Sequence, residues 1–429
     1  MSSQPSGDQP KGVLASLDDW WFGKRSPAAL GLFRVAISTV AFLSLLITLS
    51  DFDAWYTERG FVPMRIVERW MYYPSERFTL NEQVLFTLPF EIPRINVLSG
   101  VTNSWITLGV YLLIMLAAVT TAFGLWTRLS SIVLAVGFVS LHHRNPMIMH
   151  SGDSLLRLCL IYIAVAPSGA AVSLDRFMGV WKGRLSPEPA PISMWGQRLI
   201  QYQVALLYFT TAWWKWFGLY WKDGTATWYP TQLHEFDRFW VPPFLERQPF
   251  IMLTTYGTLL VETALATLVF YKPLRKWALI SGIMLHGYIE YRFNIPMFAA
   301  IIVSTYICFF EGEEVQAWAR RLGERWQKLR LRVLLPQGQA LDPQRGAAIR
   351  NMDALGLVSY EPGQADLWEA RDTSGKPKAN PSRSALFRSF GAWPLGLVPG
   401  LWRRLLFRAA VTAAGKEDRP AKGKQEARR

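Results

Sequence analysis

Long apolar runs broken by short charged segments set the pattern of this chain. The runs fall at about residues 28–49, 104–123, 129–142, 154–167, 195–218, 250–271, 274–290 and 295–311. A helix needs about 20 such residues to cross a bilayer. Backbone polar groups have no water to turn to in the hydrocarbon layer, so runs of this kind read as helices. The pattern therefore predicts an all-α fold, a polytopic transmembrane helical bundle of about 8 spans, in which the 129–142 and 154–167 runs are short. Trp20-Trp21-Phe22-Gly23-Lys24-Arg25 before the first run reads as an interfacial anchor. Residues 51–102 and 219–249 read as mixed loops, and 65–73 as an amphipathic helix lying on a surface. After Glu311 the apolar runs stop. An Arg-rich amphipathic helix is expected there, then a basic, partly disordered tail over 313–429 with one short amphipathic helix at 401–410.

Composition sharpens this picture. Of 429 residues 51% are hydrophobic and only 18% charged, against roughly a quarter charged in soluble domains. The formal net charge of +14 does not point to nucleic acid. The basic residues collect in the N-terminus, in short loops and in the tail, which suits a cytoplasmic membrane face. Counting alternate sides, Lys11, Lys24 and Arg25, then Arg128, then Arg176, Lys182 and Arg184, then Lys272, Arg275 and Lys276, then the tail, all fall on one side. The opposite loops, 51–102 and 219–249, are balanced or acidic. Both termini are therefore expected in the cytoplasm. Residues 1–19 are polar and carry no signal-peptide pattern. Cys159 and Cys308 sit inside apolar runs without a CxxC partner, so neither a redox pair nor a zinc site is expected. His142 and His143 are adjacent, not spaced i,i+4 as ligands on a helix are, and no metal site is expected.

Candidate chemistry concentrates near the end of the fifth run, in Tyr208-Phe209-Thr210-Thr211-Ala212-Trp213-Trp214-Lys215-Trp216-Phe217-Gly218. Gln201, Tyr208 and Lys215 are spaced by seven, with Thr211 between the last two, which makes a polar stripe on an apolar helix. Such stripes face a bundle interior or a wet cavity; the other reading is a lysine snorkelling to the interface beside an aromatic belt. Glu262 lies mid-run with Thr255 and Thr258 on its face, and Lys215, Arg157 or His286 are its available partners. The alternative is a protonated glutamate that ties helices together. His286 and Glu290 share a helix face, so the histidine is either structural or a proton carrier. Asp153 and Arg157 are spaced for an i,i+4 bridge at a helix start. His143, Asn145 and Asp153 fall at the same outer depth as Lys215.

Tyr208-Phe209 through Lys215, followed by Trp221-Lys222-Asp223-Gly224-Thr225-Ala226, resembles the signature of the HTTM membrane domain. Gly124-Leu125-Trp126-Thr127-Arg128 resembles it too, as do His143-Arg144-Asn145-Pro146 and Gly152-Asp153-Ser154-Leu155-Leu156-Arg157. The resemblance covers residues 20–312. That family includes the vitamin K-dependent gamma-carboxylases and bacterial proteins that help mature secreted peptide toxins of the sporulation-delay type. It implies that Lys215 is the base that deprotonates a reduced quinone, vitamin K hydroquinone-like, with O2 and CO2 as co-substrates. It implies catalytic neighbours at Glu262 and His286, and a quinone or substrate surface at Tyr208, Trp213, Trp214, Trp216, Trp221, His143, Asn145, Asp153 and Arg157. The tryptophans and Phe217 would wall the amine and lower its pKa by burial. Trp214 stands where the carboxylases often have a second lysine. Residues 313–429 do not match the large lumenal domain by which animal carboxylases recognise a propeptide. Residues 372–408, with Gly391-Ala392-Trp393-Pro394-Leu395, faintly resemble the end of a fused thioredoxin-like domain whose CxxC half is missing. The resemblance implies an enzyme of a cell inner membrane, its partners the lipid bilayer and a secreted peptide. A non-catalytic partner for the maturation or export of such a peptide is the alternative. A transporter is disfavoured, because no internal repeat or pair of broken helices is seen.

Overall fold

The computed structural model describes residues 12–71, 77–80, 83–87, 95–326, 328, 330–335, 337–363, 369–376 and 411–413. These fall into two compact units, one within Met1–Gly169 and Pro191–Glu311, the other within Ala170–Ala190 and Gly312–Arg429. The expected helix at 401–410 and the Gly391–Leu395 motif lie outside the described residues.

The first unit is mostly helical, with short antiparallel strand pairs at Lys24–Arg25 with Ile192–Ser193 and at Arg77–Leu80 with Gln83–Thr87, and each of the apolar runs forms a helix in it. We label these helices α1 (Ala28–Thr48), α2 (Ser104–Phe123), α3 (Thr127–Arg144), α4 (Ser151–Val165), α5 (Trp195–Phe217), α6 (Gln248–Thr267), α7 (Lys272–Arg292) and α8 (Phe298–Thr305). Among the described residues three segments are long and apolar enough to cross a membrane: Ala28–Tyr56, Ser104–Phe123 and Gln248–Phe270. At 1.5 Å per residue the 21 residues of α1 reach about 31 Å, the thickness of the hydrocarbon layer. The last run falls short of its expected span. α8 has 8 residues and is followed by a 3₁₀ turn at Tyr306–Phe309. The surface helix expected at 65–73 is found at Met64–Met71. A helix at Val13–Phe22 precedes the first run, and its Trp21 ring stacks on Tyr202 of α5.

The bundle packs through small residues. A Cβ on Gly137 of α3 would stand 2.4 Å from Ile114 of α2, and one on Gly196 of α5 would stand 2.5 Å from Ala166. Close backbone approach of this kind replaces the hydrophobic drive that helices in lipid lack. The Gly124–Arg128 motif is the turn between α2 and α3. Gly124 closes α2 in the left-handed conformation (φ 66), with Leu125 N–H donating to Thr120 at 2.9 Å, a Schellman-type stop.

Arginines close the exposed carbonyls at helix ends. Arg34, fully buried on α1, donates to Ser168 O at 2.9 Å and lies 3.5 Å from Ala122 O. Arg128 donates to Ala164 O and Val165 O at the end of α4. These cations meet the negative ends of helix dipoles. At the opposite end of the bundle Arg144 donates to Val62 O at 2.8 Å and lies 3.6 Å from Glu58. Arg292, also buried, donates to Thr231 O at 2.7 Å and pairs with Asp237 and Glu246. The Asp237–Phe293 bridge and the Arg238–Glu290 pair add to this clasp.

The second unit corrects the expectation of an all-α chain, because part of the tail forms a small sheet. Strands Leu331–Leu335 and Val358–Pro362 pair in parallel, and Glu369–Asp372 adds antiparallel to the other edge of Leu331–Leu335. Helix Pro343–Met352 connects the parallel pair, as parallel strands require. Leu331, Val333 and Leu335 are buried while Arg332 is exposed, a half-buried strand pattern that is only five residues long and easily read as basic tail. Ala170–Ala190 belongs to this unit. Its Leu185 O accepts from Gln344, its Pro187 O accepts from Asn351, and Arg345 lies over Trp181.

Asp353 gives this unit a pH signature. Its carboxyl accepts from the N–H groups of Leu357 and Val358 at 2.9 and 2.8 Å, yet burial outweighs these bonds and raises its pKa above the ordinary 3.8. A carboxyl with a raised folded pKa contributes stability that is complete below the unfolded value and is lost as pH rises through the folded value. The thermal unfolding midpoint of this unit in the full-length protein is therefore expected to fall as pH rises from about 4 toward neutrality. Asp353→Asn is expected to flatten that slope. An unchanged slope in the variant would show that another group sets it.

Candidate functional site

The polar stripe of α5 faces the interior of its own unit. Gln197 and Gln201 both donate to Cys308 O, at 2.7 and 2.6 Å. Tyr208 is 1% exposed. Thr211 is half-buried and returns its hydroxyl to the carbonyls of Leu207 and Tyr208. At 100° per residue these positions share one face of the helix, and Lys215 continues it.

Lys215 Nζ pairs with Glu262 Oε1 of α6. Of the partners open to Glu262, the tertiary structure selects this one. The pair is not fully enclosed: the lysine side chain is 25% exposed and the glutamate 10%. Thr255 and Thr258 are buried on the same face of α6. Oε2 of Glu262 is buried without a hydrogen bond of its own, and Thr211 lies alongside.

His286 of α7 does not bond to Lys215; it is joined instead to Tyr208, two turns before Lys215 on α5. Its Nε2 lies 2.8 Å from the Tyr208 hydroxyl, which in turn lies 2.7 Å from the Tyr306 hydroxyl. The imidazole is 4% exposed, and its Nδ1 has no partner. Gly282, one turn before His286, makes room for this chain: a Cβ there would stand 2.4 Å from the Tyr306 oxygen. Three helices and the turn after α8 thus hold two linked polar groups side by side, the ion pair and the hydroxyl–imidazole chain. Tyr306 and Gly282 escaped the sequence reading. The available signal was a lone tyrosine in an apolar run, whose O–H needs a partner when buried.

The indole wall expected around Lys215 does not form. Trp213, Trp214 and Trp216 are 53, 74 and 58% exposed, and Phe217 is exposed with them. Residues one or two positions from Lys215 project from other sides of the helix. Trp221 alone of those named meets the amine, with its ring centroid 4.9 Å from Nζ.

The remaining candidates make contacts away from Lys215. His143 Nδ1 lies 2.7 Å from Ile95 O, and Asn145 donates to Trp55 O at 2.9 Å. The expected Asp153–Arg157 bridge is replaced by a cap. Asp153 accepts from His150 N–H at 2.9 Å and lies 3.5 Å from His150 Nε2, because the start of α4 offers unsatisfied donors closer than the guanidinium. His286 does not pair with Glu290 either. Glu290 takes Arg238 and the N–H of Ala299, a cation and a free donor being stronger partners for a carboxylate than a neutral ring. Among the described residues no group of three or more His, Cys, Asp or Glu is arranged to hold a metal ion.

A family model described as the HTTM domain matches residues 64–313, more than half of the chain and all of α2 to α8. Searches of curated proteins and of solved structures found no match.

The ion pair can be tested by a double-mutant cycle in Lys215→Met and Glu262→Gln, read as thermal stability in lipid nanodiscs. Each single change strands a partly buried group, so the double variant is expected to lose less than the sum, with a coupling of about 1–3 kcal/mol. Additive losses would mean that the two side chains do not support each other.

Proposed function

The chain belongs to the HTTM-domain family, and from that membership we propose that it is an integral membrane enzyme of the vitamin K-dependent gamma-carboxylase-like type. It acts on a peptide at the periplasmic side of a cell inner membrane, driven by a quinol and oxygen. One observation carries the reading: the Lys215 amine, on the inward face of α5, meets a buried carboxylate and lies in the field of a buried imidazole. Lysines serve as bases when an apolar site lets them hold a neutral amine.

A quinol of the vitamin K hydroquinone kind, when bound, supplies an acidic hydroxyl and the reducing power by which oxygen yields a base strong enough to open a glutamate to CO2. What supports such a group is a pair of buried polar atoms without hydrogen-bond partners among the described residues, His286 Nδ1 and Glu262 Oε2, and the Trp221 ring over the Lys215 amine. Transfer of a proton from Nζ to Glu262 leaves the pair's net charge unchanged and frees the amine lone pair. Nζ then accepts the hydroxyl proton, and the new ammonium balances the anion that remains. Tyr208 holds the imidazole in place from behind.

An eight-span arrangement with both termini cytoplasmic goes with this proposal, and contacts between helix ends support it. Residues 24–25 pair with 192–193, before α1 and before α5. His150 at the start of α4 reaches Pro296 before α8. Arg292 at the end of α7 reaches the loop after α5. In each case an even number of helices separates the partners, as crossing and returning requires. Ala170–Ala190 and the chain after Glu311 fold into one unit, so they share a side.

The ion pair itself favours a second reading, because Glu262 already engages the amine. In that reading the charge ties α5 to α6 in a non-catalytic partner for the maturation or export of a secreted peptide. Oxygen-dependent quinol oxidation by membranes separates the two. Lys215→Ala is expected to slow it by about 10²–10⁴-fold. Lys215→Arg keeps the charge but stays protonated, so it is expected to be as slow. Equal rates in wild type and Lys215→Ala would remove Lys215 from the chemistry.

A further inference from the structure

The hydroxyl chain behind His286 has a direction. Tyr306, Tyr208 and His286 Nε2 lie in line, at 2.7 and 2.8 Å. Among the described residues the Tyr306 hydroxyl meets no other hydrogen-bonding group than Tyr208. Of the three proton arrangements open to three groups in a row, the one in which Tyr306 and Nε2–H both donate to Tyr208 strands the buried Tyr208 proton and the Nδ1 lone pair, which leaves two. In one, Tyr306 donates to Tyr208, Tyr208 donates to Nε2, and the imidazole proton sits on Nδ1. In the other, Nε2–H donates to Tyr208 and Tyr208 donates to Tyr306. The second leaves the Tyr306 proton buried with nowhere to go and leaves the Nδ1 lone pair unused. The first leaves a single group unmet, the Nδ1–H. Burying an unpaired donor is costly, so the arrangement with fewer orphans prevails.

We propose that Tyr208 is a positioning residue that fixes His286 as the Nδ1–H tautomer, so that His286 presents a hydrogen-bond donor, not a base, to a ligand oxygen bearing free lone pairs. The ligand oxygen is a carbonyl or an oxyanion, from a quinone ring or from a peptide. For that ligand the inference rests on the reading above; the tautomer stands without it. Nδ1 is the atom the geometry leaves for this task, buried and with no partner of its own. Tyr208, which holds Nε2, and Lys215 lie seven residues apart on one face of α5, so the ring and the amine border the same side of that helix. The division of labour then follows. Lys215 and Glu262 exchange protons, while His286 steadies the charge that appears on oxygen, as donors aimed at a developing anion do.

The test is ¹⁵N NMR of the histidine rings in the full-length protein in nanodiscs, with the His286 signals assigned by their loss in His286→Gln. Wild type is expected to show neutral His286 protonated on Nδ1, by about ten to one or more. Tyr208→Phe removes the donor to Nε2 and is expected to bring that ratio near one. Tyr306→Phe shortens the chain but leaves Tyr208 to donate, and is expected to keep the Nδ1–H form. A purely packing role would treat the two variants alike. Protonation on Nε2 in wild type, or a ratio that Tyr208→Phe leaves unmoved, overturns the proposal. Two probes then address the ligand, 1,4-naphthoquinone and N-acetylglutamate amide. A shift of the Nδ1–H signal with either one supports the assignment and names the source of the oxygen, and a shift with neither overturns it. None of these readings depends on quinol oxidation, so they fail or stand apart from the Lys215 variants.

Discussion

Lys215 meets Glu262 across α5 and α6, and this pairing constrains how the surrounding helices sit. A lysine in an apolar helix must find a counter-charge or reach water. Here it does the first while its side chain keeps a quarter of its surface exposed. Holding α5 in that rotation turns Gln201 and Tyr208 inward, and each then finds its partner, Cys308 O and the His286–Tyr306 group. The same rotation sends Trp213, Trp214 and Trp216 outward. Their exposed indoles suit the boundary between lipid and water, where tryptophans collect.

A second rule runs through the helical unit: arginines, most of them buried, are spent on carbonyls. Arg34 and Arg128 close helix ends on one side, Arg144 and Arg292 hold loops on the other. A guanidinium carries five donors and stays charged, so it can serve several carbonyls that no side chain of the same helix reaches. Charge in this unit is therefore divided. Arginines at the two ends hold carbonyls, and the lysine pairs with a carboxylate on the neighbouring helix.

Tyr208 belongs to both levels. It is buried as a core residue would be, and it also joins the imidazole to Tyr306. Gly282 shows that the joint is built into the backbone, since any side chain there would occupy the place of the Tyr306 oxygen. The C-terminal unit has a similar internal logic. The segment after α4 lends it a helix, Leu174–Trp181, and three carbonyl and ring contacts, so chain far apart in sequence folds as one body.

Helix periodicity is local, and what depends on it could be read directly. The apolar runs, the inward stripe of Gln201, Tyr208, Thr211 and Lys215, and the Thr255–Thr258–Glu262 face all follow from 3.6 residues per turn. The HTTM resemblance, carried by ordered motifs, was legible in the same way. Partner choice is not local. Glu262 taking Lys215, Asp153 capping α4 in place of bridging Arg157, and Glu290 leaving His286 for Arg238 were decided by which groups other elements brought within reach. The sheet at Leu331–Leu335 was hidden because a strand of five residues among arginines carries too short a pattern, and because its closing segment, Ala170–Ala190, lies far back along the chain. The sequence by itself determined which faces are buried; only the tertiary structure decided what each buried polar group would meet, since hydrogen bonds and ion pairs are settled by distances of a few ångströms between segments that one-dimensional order does not bring together.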